Sequence, residues 1–127
     1  ENSFTNVPVA MCRALRGLTT LRMDHNELAE VGDQVSFLTD LTVLSLSHNR
    51  IRKLPEVLGD FLTVLKELRC AHNQIDLVPH NLYLCQDSLE VLDLQHNKLM
   101  SLPPVALELT RLKALRLEGN RLSELPL

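Results

Sequence analysis

Tryptophan is absent from this 127-residue sequence, which has one tyrosine and three phenylalanines; aromatic residues amount to 3%. Aromatic anchors, common at the centre of tight interfaces, are nearly missing, and arginine is left as the other frequent anchor type. Basic charge is scarce too. Lys and Arg number 13 against 16 Asp and Glu, for a net charge of −3, which removes the electrostatic footprint of general nucleic-acid binding. The 23% of charged residues is ordinary and excludes a disordered polyelectrolyte. No apolar run approaches the roughly 20 residues that span a bilayer, and the amino-terminal stretch lacks the charged-then-apolar order of a signal peptide. No membrane insertion is expected.

Cysteine is used sparingly. Cys12, Cys70 and Cys85 make an odd count without a CxxC pairing, so neither a disulfide framework nor a zinc site is signalled. No Asn-x-Ser/Thr acceptor occurs. A reducing compartment, and therefore a cytoplasmic location, is expected. Chemistry is missing as well: the sequence has no GxSxG, no glycine-rich phosphate loop and no HExxH. The expectation is a chain that is not an enzyme, with no cofactor and no metal.

Leucine, by contrast, supplies 29 of the 127 residues, and it is periodic. Five segments align: LTTLRMDHNEL from Leu18, LTVLSLSHNRI from Leu41, LKELRCAHNQI from Leu65, LEVLDLQHNKL from Leu89 and LKALRLEGNRL from Leu112. Their starts lie 23, 24, 24 and 23 residues apart, and Asn26, Asn49, Asn73, Asn97 and Asn120 keep that spacing. Each segment closes on Val31, Leu54, Val78, Leu102 or Leu125, four of them followed by proline (Pro55, Pro79, Pro103, Pro126). A half-repeat over 7–17 precedes them, so residues 1–127 read as one repeat domain.

In LxxLxLxxNxL the second and third apolar positions alternate about one residue, as a short strand with one buried face requires. The inward pairs are Leu21/Met23, Leu44/Leu46, Leu68/Cys70, Leu92/Leu94 and Leu115/Leu117. One coil has too little apolar surface to fold alone, and stacking makes a continuous core. The asparagine sits where the chain leaves the strand; its amide is expected to donate to carbonyls of the adjoining coil and to accept from its own. The proline after each closure suits an extended or 3₁₀-like return, with Val35/Leu38, Leu58/Phe61, Leu82/Cys85 and Ala106/Leu109 facing inward.

The pattern resembles the leucine-rich repeat family over residues 7–126, and the 23–24-residue period with Leu-Pro closures is similar to its intracellular, Ras-associated type. The resemblance implies an α/β solenoid: a curved right-handed coil with a parallel concave sheet and short helical or 3₁₀ turns outside. It implies protein binding along the concave face and no chemistry. Because the chain stops directly after the last consensus position, one side of the Leu112, Leu115, Leu117 and Leu122 row is expected to be bare, and the chain to be part of a longer protein with flanking domains.

Outward positions alternate with the buried ones. They give three columns: Thr20, Val43, Glu67, Val91, Ala114; Arg22, Ser45, Arg69, Asp93, Arg116; and Asp24, Ser47, Ala71, Gln95, Glu118. Strands about 4.8 Å apart put Arg69, Asp93 and Arg116 in an alternating-charge column. It is either a weak ion ladder or a clamp in which Arg22, Arg69 and Arg116 grip an acidic partner while Asp93 and Glu118 set its register. No aromatic residue maps to this face.

A fourth column holds His25, His48, His72 and His96, with Gly119 ending it. Parallel rings point the same way, whereas a metal site needs convergence, so these histidines read as structural or partner-facing. Protonating four stacked imidazoles near pH 6 is expected to weaken stability or binding. Asp24 beside His25 resembles an acid–base pair, but both sit on an open ridge, and only the Ser45/Ser47/His48 cluster offers a hydroxyl nearby, from its serines.

The expected partner surface is therefore Arg22, Asp24, His25, Ser45, Ser47, His48, Glu67, Arg69, His72, Asp93, Gln95, His96, Arg116 and Glu118. The expected role is a scaffold or recognition segment of an intracellular signalling protein that binds another protein, an acidic patch on that partner being the expected counterpart of the arginines. The alternatives are the targeting domain of a multidomain kinase, phosphatase or ubiquitin ligase, or an architectural subunit of a large assembly.

Overall fold

The computed structural model describes residues 3–123, apart from the side chains of Val105 and Leu107; the closure at Leu125 and Pro126 lies outside the described residues. Five three-residue strands, β1 (Thr20–Arg22), β2 (Val43–Ser45), β3 (Glu67–Arg69), β4 (Val91–Asp93) and β5 (Ala114–Arg116), form one parallel sheet in chain order. Its register places Leu21, Leu44, Leu68, Leu92 and Leu115 in one row. The return arcs carry α1 (Val9–Ala14), α2 (Leu58–Phe61) and 3₁₀ turns at Asp33–Phe37, His80–Cys85 and Pro104–Glu108. The chain is thus a solenoid with strands on one side and short turns on the other.

The repeat explains each element. Strands stop at three residues because the coil must turn after its second inward leucine. The turns stay short because Pro79 and Pro103 fix an extended entry immediately before the 3₁₀ segments. Inward residues of all coils merge into one core, in which Leu28, Leu44, Leu46, Leu68, Ile75 and Leu94 are wholly buried. The half-repeat completes it at the amino-terminal end: Val7 and Cys12 are buried, and Gln34 Nε2 donates to the Val7 carbonyl at 2.7 Å. Outside, Arg13 and Arg16 lie 5.9 and 4.9 Å from the centre of the Phe37 ring, tying α1 to the next coil through cation–π contacts.

The asparagine ladder differs from expectation in one respect. Asn49 Nδ2 donates to Leu46 O in its own coil (3.0 Å) and to Met23 O in the preceding coil (2.9 Å), but its Oδ1 accepts from Leu28 N of the preceding coil (3.0 Å) rather than from its own. Asn73, Asn97 and Asn120 repeat this through Ile51 N, Ile75 N and Leu99 N. Each of those N–H groups belongs to an apolar residue leaving the preceding turn, where no strand partner exists, so the next coil's amide supplies the acceptor.

Two inward assignments are corrected. Phe61 is 47% exposed, and Leu62 is the buried residue in its place. Leu62 stands three residues before Leu65, as Leu38 stands before Leu41, so it is the true equivalent. Leu115 is 46% exposed although Leu21, Leu44, Leu68 and Leu92 of the same row are buried, because no described coil stacks on β5. A shallow apolar hollow opens beside it, lined by Leu82, Leu92, Leu102, Leu109, Leu112 and Leu115 among others.

Candidate functional site

The concave face and the rim at the carboxyl ends of the strands hold every residue of the expected surface. They are not equally available. Asp24 Oδ1 accepts from Ser45 Oγ (2.7 Å) and Ser47 N (2.8 Å), and Ser47 Oγ accepts from Ala71 N (3.2 Å). These bonds stitch three successive coils and leave Ser45 only 3% exposed. Asp93 is buried and accepts at Oδ1 from Gln95 N (3.2 Å) and Gln95 Nε2 (3.0 Å). The sequence reading missed this stitching, although an acid at Asp24 facing hydroxyls one coil later was its visible signal.

The expected Arg69–Asp93–Arg116 ion ladder is also corrected. The register aligns the three residues, but Arg69 Nε pairs within its own strand with Glu67 Oε2 at 3.5 Å, both side chains being about 30% exposed. Asp93 is turned to Gln95 instead, since a carboxylate gains more from directed hydrogen bonds at a buried site than from an exposed pair. Arg22, Arg116 and Glu118 remain exposed.

At the rim, His25, His48, His72 and His96 all adopt left-handed backbone, with φ between 54° and 58°, and Gly119 continues the series at 76°. Neighbouring imidazole centroids lie 4.3, 4.4 and 4.4 Å apart, with planes 10–17° from parallel. Gly119 closes the column because a Cβ there would run into the His96 ring. Burial lowers the His48 pKa from its ordinary value, reinforced by His72 and His25 and opposed by Asp24. Rings stacked this way direct their lone pairs in parallel, and among the described residues no group of three or more His, Cys, Asp or Glu is arranged to hold a metal ion. The Asp24 carboxylate, spent on Ser45 and Ser47, does not orient His25 for acid–base work.

Coils of 23–24 residues stacked through an asparagine ladder define a repeat solenoid with one continuous parallel sheet. The leucine-rich repeat model matches residues 16–75, and a second model, for two copies of the repeat, matches residues 87–127. The chain belongs to the leucine-rich repeat family. Fibromodulin of Bos taurus is 33% identical over 135 residues, covering 87% of this chain and 34% of its own length. A leucine-rich repeat protein of Leptospira interrogans superposes with a TM-score of 0.93 at 36% identity, covering 99% of this chain and 31% of that one. A chain of the octameric complex of latrophilin 3, Unc5D and FLRT2, in which FLRT2 supplies the repeats, gives a TM-score of 0.85 at 30% identity over 98% of this chain and 38% of its own. The chain thus spans about a third of the length of these relatives.

These likenesses overturn the cytoplasmic location. Fibromodulin and FLRT2 are extracellular proteins, and the matching models identify the repeat without the intracellular Ras-associated subtype. The cysteine argument failed for a physical reason. Cys12, Cys70 and Cys85 are free thiols buried in the core, and burial raises the pKa of each, that of Cys85 to about 11. A sealed thiol is a small apolar filler whose state does not report the surrounding redox poise.

Proposed function

We propose that this chain is a non-catalytic recognition segment that binds another protein along its concave face, in an extracellular setting like that of its relatives. The observation that carries the reading is the division of charge on that face. Asp24 and Asp93 are committed to donors of the chain itself, and Glu67 to Arg69. Arg22 and Arg116 reach solvent at either end. The available charge is chiefly guanidinium, which suits an acidic partner and forked contacts to its carboxylates. Glu118, exposed beside Arg116, would then set its register. FLRT2, solved in complex with other proteins, supports protein binding as the use of this fold.

The test is capture at pH 7.4 from an extracellular-protein extract, with wild-type chain against an Arg22/Arg69/Arg116→Glu variant matched to it in thermal unfolding. A partner retained by wild type and lost from the variant is expected. The same partners in both samples would move recognition off the concave face.

A further inference from the structure

The histidine column is a second ionisable feature of this face, and the backbone holds it in place. Left-handed φ at all four residues fixes their Cα–Cβ bonds in a common direction. Each histidine N–H is committed to the next coil: His25 to Ser47 O (3.0 Å), His48 to Ala71 O (2.9 Å), His72 to Gln95 O (2.8 Å) and His96 to Glu118 O (2.7 Å). The four side chains are exposed at the rim, so a ligand on the sheet can reach them.

Counter-charge is confined to the ends of the column. The residues just before the rings are Asp24, Ser47, Ala71 and Gln95, and those two beyond are Glu27, Arg50, Gln74 and Lys98; Glu118 and Arg121 flank Gly119 past the last ring. None of these flanking positions in the coils of His48 and His72 is acidic, and Arg50, two residues past His48, carries a like charge. Asp24 is the one carboxylate that acts on His48, and it is already held by Ser45 and Ser47. Protonating both His48 and His72, whose ring centres lie 4.4 Å apart, would set two like charges side by side. Carboxylates laid along the rim would remove that repulsion.

We infer that the column is an acid-activated docking rim for an acidic peptide segment of a partner protein, taking up protons as the partner's carboxylates lie along it, so that mild acid tightens binding. The inference deepens the concave-face reading and rests on it for the identity of the face. The free chain behaves oppositely. Its unfolded state has ordinary histidines and takes up protons first, so stability falls as the pH drops from about 6.5 through the lowered pKa of His48. Acid thus weakens the empty chain and strengthens the loaded one, which divides the single expectation drawn from the sequence into two effects of opposite sign.

The test uses an eight-residue poly-aspartate peptide, whose carboxylates stay ionised at pH 5.5, with wild-type chain and a His48→Asn/His72→Asn variant. Asparagine accepts the left-handed backbone and adds no charge. Titration calorimetry at pH 7.5 and 5.5 should show wild-type affinity rising severalfold in acid, with proton uptake, and the variant changing little. In NMR titrations the His48 ring should protonate below pH 6.5 in the free chain and at higher pH with peptide bound. Absence of peptide binding at pH 5.5, an equal pH dependence in the variant, or a His48 midpoint indifferent to peptide would overturn the inference. Capture at pH 7.4, where the rim carries little charge, tests the arginines separately, so the two readings fail independently.

Discussion

Asn73 concentrates the chemistry of the fold in one side chain. Its Nδ2 donates to Leu46 O (2.9 Å), Cys70 O (3.1 Å) and Ala71 O (3.2 Å), and its Oδ1 accepts from Ile51 N (3.0 Å), at 8% exposure. Truncation would strand the buried Ile51 N–H, costing about 1–3 kcal/mol, and would remove one of two donors from Leu46 O, Cys70 O and Ala71 O, which keep Asn49 Nδ2, Asn97 Nδ2 and His48 N. Asn73→Ala should therefore lose about 3 kcal/mol in urea denaturation; a loss below about 1 kcal/mol would mean the amide is replaceable by water. At this scale the sequence was half legible. The need for a buried amide followed from its position after the strand. The source of its accepted bond did not, because that depends on which coil's N–H is left unpaired, and spacing is silent on this. The cysteines misled for the opposite reason: their number was visible and their burial was treated as secondary.

The outer arcs show where periodicity runs out. A short turn can bring either of two adjacent residues inward, and the spacing of the return arc pairs Phe61 with Leu58 on the inward side. The structure uses Leu62, and α2 pivots on Gly59, where an added Cβ would meet the Asn81 carbonyl of the next coil. The close approach of the two arcs thus sets which side chain turns in. Leu62→Ala should cost about 3 kcal/mol as a core cavity, whereas Phe61→Ala should stay within about 1 kcal/mol. Equal costs in thermal or urea unfolding would restore Phe61 to the core. The strands were read correctly because a two-residue alternation permits one answer, and their register followed from the fixed distance between each strand and the asparagine that ends it.

At the scale of the whole molecule, the described coils form a quasi-linear stack in which each contacts its neighbours. Function is then a matter of which columns face outward and which of those are spent internally. The columns were legible from the repeat; their internal use was not. Ser45 and Asp93 stand at outward positions, yet both are buried by bonds within and between coils. What remains is a face with arginine at its ends and an imidazole rim along one side. The extracellular setting proposed for the chain rests on its relatives, since a sealed thiol does not report the redox poise around it.

Hydrogen–deuterium exchange of the chain with and without its captured partner tests this account most directly. Binding should slow exchange across β1 to β5 and at the amides that follow them through the histidine rim, leaving the outer arcs around Asp33–Phe37, α2 and His80–Cys85 unchanged. Protection confined to those outer arcs, with the strands and rim unaffected, would contradict recognition by the concave face.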